Sequence, residues 1–450
     1  MPIGLATISS YLAKLEVRHK VVDCFGINPT QPTHSKNHWI FGLNPNQFIE
    51  EIPDCETAII YANQASNHES IIQLIQQIRL KFYSASIFVL ENTQAVTAYS
   101  LKPLEEIFKS FGADGIITGY YENQVTEILN NLGLNNLIPA IPTKIPIPNW
   151  GEIPIQKYWN AKLSHGPQTS DSYLPILTSR GCPFNCSFCV VPATNNRNWI
   201  GRSPEEVFLE IEGLIEKFDV TEFHLEDLNP TIDINRVEKI AELLTPLKVT
   251  WKIVAGTKAE TIKSEEILKK LSRSGLKYIS ISPESGSVET KKEIGKRFDD
   301  DHAFELIKWC KKNTVKVQAC FVLGMPGEKR RDRKATAKLI RKLTIKGVDE
   351  IALFIITPIP GSQVFSKTKE VHLTDVSFSP TWRIDYKKLS RIRIFWYLQF
   401  LLLKLIFHPI HFTLTVLRFF TNKFELKMEL APYRSQLWKK WSLNETQYYR

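Results

Sequence analysis

From residue 172 to residue 360 the chain repeats one unit six times, a short apolar run followed by an amphipathic stretch with helical spacing. The apolar runs fall at 173–178, 222–225, 250–254, 278–282, 316–323 and 350–356. Runs this short suit strands buried on both faces of a sheet. A helix between each pair of strands makes the strands parallel, since a tight hairpin no longer joins them. Six such units predict a partial (β/α)6 barrel of TIM type, with its site at the C-terminal ends of the strands. One helix start is spelled out locally. Ser203-Pro204-Glu205-Glu206 offers an N-cap hydroxyl, a first-turn proline and a glutamate at the third helical position, and predicts a helix over 205–218.

Residues 1–145 alternate in the same way. Helical spacing at 4–15, 69–82, 104–111 and 122–132 is interleaved with apolar runs at 19–25, 57–62, 86–90 and 115–118. This predicts a second parallel sheet with helices on both faces, a doubly wound, Rossmann-like (flavodoxin-like) domain. Prolines crowd residues 138–156 and forbid helix interiors and central strands there, so the stretch reads as an extended linker. The fold class is therefore α/β, with expected units at 1–137, 138–170 (linker), 171–365 (barrel) and 366–450.

The last unit is a helical tail, apolar and basic. Residues 394–407 are almost wholly apolar or aromatic, broken by Gln399 and Lys404, and a second apolar run follows His408 and Pro409 up to Phe420. Neither half reaches the roughly 20 uninterrupted apolar residues of a spanning helix. Two main readings stay open. The halves form a helix pair over the barrel mouth, or an interfacial pair, flanked by Arg391, Arg393, Arg418 and Lys423, that gives peripheral membrane contact through 391–423.

The formal charge of +10 points to an anionic partner. No RNA- or DNA-binding signature accompanies it, so nucleic acid is not expected. The N-terminus has no basic region ahead of an apolar core, and a cytoplasmic location is expected, peripheral at the membrane in the second reading of the tail. Seven cysteines in 450 residues do not form a disulfide framework. Three of them, Cys182, Cys186 and Cys189, lie within eight residues in SRGCPFNCSFC, directly after the first barrel strand. A [4Fe–4S] cluster normally takes four cysteine ligands, so three leave one iron open to a small molecule. Zinc and buried inert thiols are the rival readings, and the missing paired half of a zinc site weighs against the first.

CxxxCxxC with an aromatic residue before the last cysteine resembles the signature of the radical S-adenosylmethionine (SAM) superfamily. The resemblance implies a [4Fe–4S] cluster on Cys182, Cys186 and Cys189, with SAM on the open iron. It also implies reductive cleavage of SAM to a 5′-deoxyadenosyl radical, fed by an electron donor such as flavodoxin or ferredoxin. It extends over roughly 170–365 by motif order. Glu226 and Asp227, closing the second barrel strand, match the position that binds the methionine ammonium, a charge pairing of the right sign. Glu284 and Ser285 resemble the family's ESG motif near the ribose. Gly324 and Gly327 resemble the GxPGE loop, for which a plain structural turn is the alternative. By the same resemblance Phe188 touches the adenine and Thr357 lines it. Arg297 sits where the family has a basic residue, and Arg202 is equally well structural. No catalytic acid or base is assigned. His224, Tyr278, Cys310 and Cys320 receive no role.

A doubly wound domain ahead of this barrel is similar to the cobalamin-binding branch of the family, which holds C-methyltransferases and cyclases. Two departures matter. The branch's first, central strand precedes the part matched at Pro2, so the domain is expected to lack that strand, or the true start lies upstream. The DxHxxG motif with its cobalt-ligating histidine is absent, which leaves cobalamin binding open. A methylthiotransferase is disfavoured, because only Cys24 and Cys55 lie in the first unit. The expected activity is a radical SAM reaction on a small molecule, apolar by the character of the tail, and C-methylation with cobalamin is the leading form. Oxidation, cyclisation or rearrangement beside a vestigial first domain is the second, and a non-catalytic binding module the third.

Overall fold

The computed structural model describes residues 1–35, 38–368, 379–421 and 424–448. The chain opens with helix α1 (Ile3–Lys14) and then a small antiparallel hairpin, β1 (Pro32–Ser35) with β2 (His38–Phe41), which no pattern in the residues predicts. Strands β3 (Thr57–Ala62), β4 (Ser86–Glu91) and β5 (Gly115–Ile117) form a parallel sheet in that order. Helix α2 (His68–Lys81) buries Ile71, Ile75 and Ile78 with Ile87 and Val89 of the sheet. Helices α1 and α3 (Tyr121–Asn131) bury Tyr11, Leu12, Val125 and Leu129 with Leu90 and Ile117. The two apolar clusters need helices on both faces, which is the doubly wound arrangement.

The run at 19–25 is not a strand. Among the described residues β3 pairs with β4 alone, and no backbone hydrogen bond joins Arg18–Val22 to its other edge. A β-propensity run becomes a strand only when a neighbour takes up its amides and carbonyls. The space between that edge and the 17–25 segment opens into the large cavity described below.

The barrel follows. Strands β6 (Leu174–Ile176), β9 (Glu222–Leu225), β10 (Thr250–Thr257), β11 (Leu276–Glu284), β12 (Lys316–Leu323) and β13 (Glu350–Ile355) form one parallel sheet in sequence order. Between β6 and β9 sits a short antiparallel pair, β7 (Ser179–Gly181) with β8 (Trp199–Gly201). Helices α4 (Pro204–Phe218), α5 (Ile234–Leu244), α6 (Glu265–Arg273), α7 (Asp300–Lys312) and α8 (Arg330–Lys346) cover the outside through one core that includes Val207, Ile240, Leu268, Leu306 and Leu343. The Ser203–Glu206 capping box forms as its spacing predicts. The proline-rich stretch is no free tether: Trp150, Tyr158 and Trp159 are buried in the barrel's own core.

Helix α9 (Tyr386–Phe407) lies along the flank of the barrel rather than over its mouth. It buries Leu389, Trp396 and Phe400, and its Tyr397 hydroxyl accepts from the edge amide of Leu353 at 2.9 Å. That contact covers β13, which would otherwise present an open edge. Helices α10 (Pro409–Thr421) and α11 (Lys427–Tyr448) complete the tail, and Lys423 lies outside the described residues. Among the described residues no single helix is long and apolar enough to cross a membrane. The pair Tyr386–Phe407 and Pro409–Arg418, bent by 118°, passes that test only together.

Candidate functional site

Gly181 ends β7 at φ +75°, and a Cβ there would meet the Asn198 carbonyl at 1.9 Å. Only glycine turns the chain this tightly, and the turn swings residues 182–189 off the sheet as a loop. The loop is pinned on both sides. The Ser187 amide donates to Ile294 O at 3.0 Å and the Val364 amide to Ser187 O at 3.1 Å. Arg180 makes a bidentate pair with Glu122 at the start of α3, at 2.7 and 2.8 Å, which fastens the loop's base to the first domain.

Cys182, Cys186 and Cys189 all line one cavity of about 2010 Å³. Burial pushes each thiol up, that of Cys189 to about 12. Three thiols packed where their anions are costly fit a cationic group that takes up that charge. Among the described residues no three His, Cys, Asp or Glu side chains close on a single point as one metal ion requires. A cluster asks for something else, since its three protein thiolates bind three different irons. The donor set therefore suits an iron–sulfur cluster better than zinc.

The same cavity is lined by Glu226, Glu284, Phe188 and Thr357. Glu226 pairs with His165 at 2.6 Å. Burial raises its carboxyl, but the facing His165 outweighs that and leaves it below the usual range. Glu284 closes β11 in the left-handed region, φ +60°, and pairs with Lys296 at 2.6 Å. A bulky residue held at positive φ is a strain that function commonly explains. Burial lowers the Lys296 ammonium, but Glu284 and then Cys186 outweigh it and keep it raised. Phe188 packs against a small apolar cluster of Val322, Met325 and Ile356.

A family model for the radical SAM superfamily matches residues 176–340. This chain carries a radical SAM domain. A radical SAM domain implies a [4Fe–4S] cluster and SAM as cofactors. An uncharacterized methyltransferase of Pyrococcus horikoshii is 29% identical over 226 residues, 49% of this chain and 46% of the relative, so the chain spans about half the length of that protein. Cytidylyl-2-hydroxyethylphosphonate methyltransferase of Streptomyces wedmorensis is 26% identical over 448 residues, 86% of this chain and 81% of the relative. Among solved structures, the radical SAM methyltransferase TsrM of Kitasatospora setae, with cobalamin and a [4Fe–4S] cluster bound, superposes with a TM-score of 0.57 at 13% identity. The match covers 81% of this chain and 71% of TsrM, a likeness of fold.

Four of the predicted contacts of the radical SAM domain lie elsewhere. Asp227 is fully buried. It accepts from the Thr178 amide at 3.0 Å, the Thr178 hydroxyl at 2.7 Å and the Ser179 hydroxyl at 2.6 Å. Burial pushes its carboxyl up in spite of these bonds. Just past β9, where the Glu226 amide still donates to Ile176 O at 3.0 Å, the two side chains go opposite ways, so Glu226 and Asp227 do not share a site. Ser285 bonds the Thr336 hydroxyl at 3.0 Å, tying β11 to α8. Gly324 and Gly327 line a second, smaller hollow under Trp382 and Arg383 rather than the cysteine cavity. At Gly324 a Cβ would lie 2.5 Å from Leu389, so that glycine serves packing. Arg297 is solvent-exposed and lines the same cavity as the cysteines, while its neighbour Lys296 turns inward to Glu284. Arg202 binds Glu210 and Leu177 O, a structural role. His165, Lys258 and Lys296 line the site without any sequence signal, and so does Cys320, which the sequence reading leaves without a role. Alternation along the strand could have found Cys320, and the loop residues carried no such signal.

Proposed function

We propose that the chain is a cobalamin-associated radical SAM enzyme, with methylation of a substrate carbon as its leading activity. Cys182, Cys186 and Cys189 hold the cluster. Glu226 receives the SAM ammonium, Lys296 and Glu284 its carboxylate and ribose, and Phe188 with Thr357 its adenine. Bound there, the cluster and SAM supply a 5′-deoxyadenosyl radical, with the electron coming from a flavodoxin- or ferredoxin-like donor. The chain's own residues orient these parts and keep water out. Residues 1–137 are the cobalamin-binding unit, 138–170 the connection, 171–365 the radical SAM barrel and 366–450 the tail.

One observation carries the cobalamin part: the cysteine loop and the loops after β3 and β4, with Asn63, Gln64, Asn92 and Gln94, line a single continuous cavity. Among the described residues these loops bring no histidine into it, so the corrinoid is held without a histidine from them. Bound there, cobalamin supplies a methyl carrier between SAM and the substrate. Anaerobically reconstituted protein is expected to hold a full cluster's iron and sulfide, and only trace amounts would remove the radical SAM assignment. Cobalamin-supplemented protein is expected to show corrinoid absorption. Its absence leaves the second reading, oxidation or cyclisation, which yields no S-adenosylhomocysteine. Unchanged cellular activity of the triple Cys→Ala variant would leave only a binding module.

The reading includes peripheral contact with a membrane. Ile394, Phe395, Leu398, Leu402 and Ile406 stand exposed along one side of α9, continuous with exposed Lys387, Lys388 and Arg391. No acidic residue occurs between 386 and 421. Apolar and cationic groups on one helix face support an anionic lipid surface as partner.

A further inference from the structure

The cavity receives one wall from the tail. After α10 the chain turns back through Phe424, and α11 starts against the barrel. Lys427 Nζ donates to Val254 O of β10 at 2.8 Å, and the Met428 amide donates to Glu350 of β13 at 2.6 Å. Lys427, Ala431 and Arg434 all line the cavity. Their spacing of four and then three places them on one face of the helix. The stripe is two cations with a methyl group between them.

Among the described residues neither cation forms an ion pair with a carboxylate, although Lys427 lies 5.9 Å over the Tyr278 ring and faces Glu350. Among the described residues Lys427 bonds a backbone carbonyl, and Arg434 bonds only Lys162 O and Ser164 through its carbonyl and hydroxyl. The nearby acids are already committed: Glu350, which faces Lys427, to the Tyr278 hydroxyl at 2.5 Å, Gln318 and the Met428 amide, Glu226 to His165, Glu284 to Lys296, and Asp23 to the Tyr158 hydroxyl at 2.8 Å and the Gly26 amide. Burial lowers both cations, Arg434 to about 10. Two half-buried charges whose hydrogen bonds go to carbonyls and one hydroxyl rather than to a carboxylate are costly to keep, and an anion between them lowers the cost.

We infer that the substrate of this site carries a carboxylate or phosphate group, held by Lys427 and Arg434 over Ala431. The word substrate rests on the radical SAM reading, whereas the anion site stands on the tail's geometry alone. The tail's aliphatic character predicts an apolar substrate, whereas its face toward the cavity, Lys427 and Arg434, is basic.

Cys320 permits a test without knowledge of that substrate. It lines the same cavity, and its thiol, pushed up to about 11 by burial, is drawn back by Lys427. Iodoacetate and iodoacetamide both form a C–S bond to the thiolate with loss of iodide, and they differ in one negative charge. Peptide mass spectrometry of the cluster-loaded protein gives the ratio of the two rates at Cys320, with glutathione as reference. Thiolate fraction and steric access largely cancel in that ratio. In the native chain the ratio is expected about fivefold or more above that of glutathione, because a cationic site concentrates the anion. Lys427→Gln and Arg434→Gln are each expected to lower it about two- to threefold, the double variant to the glutathione value, and Lys427→Arg to preserve it. A native ratio equal to that of glutathione, or one unmoved by the double variant, overturns the anion site. Phenyl phosphate and benzoate then distinguish the two chemistries, the better competitor slowing the iodoacetamide reaction at lower concentration. Failure of both to slow it also counts against the site. Iron content and cluster absorption of the same samples report on the radical SAM reading, so the two failures are told apart.

Discussion

Asp227→Asn separates a cofactor contact from a structural strut. The carboxylate takes three hydrogen bonds from residues 178 and 179, just ahead of the cysteine loop. It also faces Arg236, which donates to Thr178 O at 2.8 Å from the other side. An asparagine keeps one acceptor oxygen and turns an amide toward either the Thr178 N–H or the two hydroxyls. Facing the N–H, donor meets donor. Facing the hydroxyls, both must turn round to accept. Either way one or two bonds to a charged acceptor are lost, and Arg236 loses its counter-charge. At about 1.5–3 kcal/mol for such a bond, less what the hydroxyls recover, the cost is roughly 2–4 kcal/mol. For a barrel of this size that is a fall in Tm of roughly 5–15 °C. Thermal unfolding followed by circular dichroism measures it, and calorimetric titration of the cluster-loaded folded protein measures SAM affinity. The expected result is a lowered Tm, reduced iron content and SAM affinity within about twofold of native. A variant with native Tm and tenfold weaker SAM binding would falsify the structural assignment and return Asp227 to the cofactor.

Glu226→Gln is expected to weaken SAM binding about ten- to a hundredfold, the loss of one charge-assisted bond, with Tm nearly unchanged; an affinity within twofold of native removes the ammonium assignment. Lys404 is buried in α9 against Val348 O at 2.9 Å, and burial carries its pKa from 10.5 to about 8. The unfolded chain binds more protons between those values, so native stability rises as pH goes from about 8 to 10.5. Lys404→Met is expected to gain roughly 2 kcal/mol in urea unfolding at pH 7, the relief of charge burial less the lost bond to Val348, and to lose that gain by pH 10; a destabilised variant at pH 7 contradicts the lowered pKa. Cosedimentation with vesicles rich in phosphatidylglycerol is expected for the native chain and not for Phe395→Glu/Leu398→Glu, while uncharged phosphatidylcholine vesicles bind more weakly; equal binding of chain and variant rules out the α9 surface.

Much was legible in the residues alone. Every barrel strand and most flanking helices follow from alternating apolar runs and caps, because burial of a strand face or helix stripe is written into the local pattern. The cysteine triplet is equally local, since one loop carries all three ligands. Glu226, Glu284 and Thr357 were reached through motif resemblance near strand ends and Phe188 through the cysteine motif itself, and the four meet around one cavity. What failed needed a partner distant in the chain. The 19–25 run has every mark of a strand except a neighbour to pair with. Asp227 and Glu226 look alike in sequence, yet the pleat sends one to the cavity and the other to the Thr178 amide. Gly324 resembles a ligand loop and is spent on Leu389, 65 residues further on. The tail's apolar face announced itself, but Lys427 and Arg434 became a cavity wall only because α11 folds back onto β10 and β13, and no local pattern encodes that return.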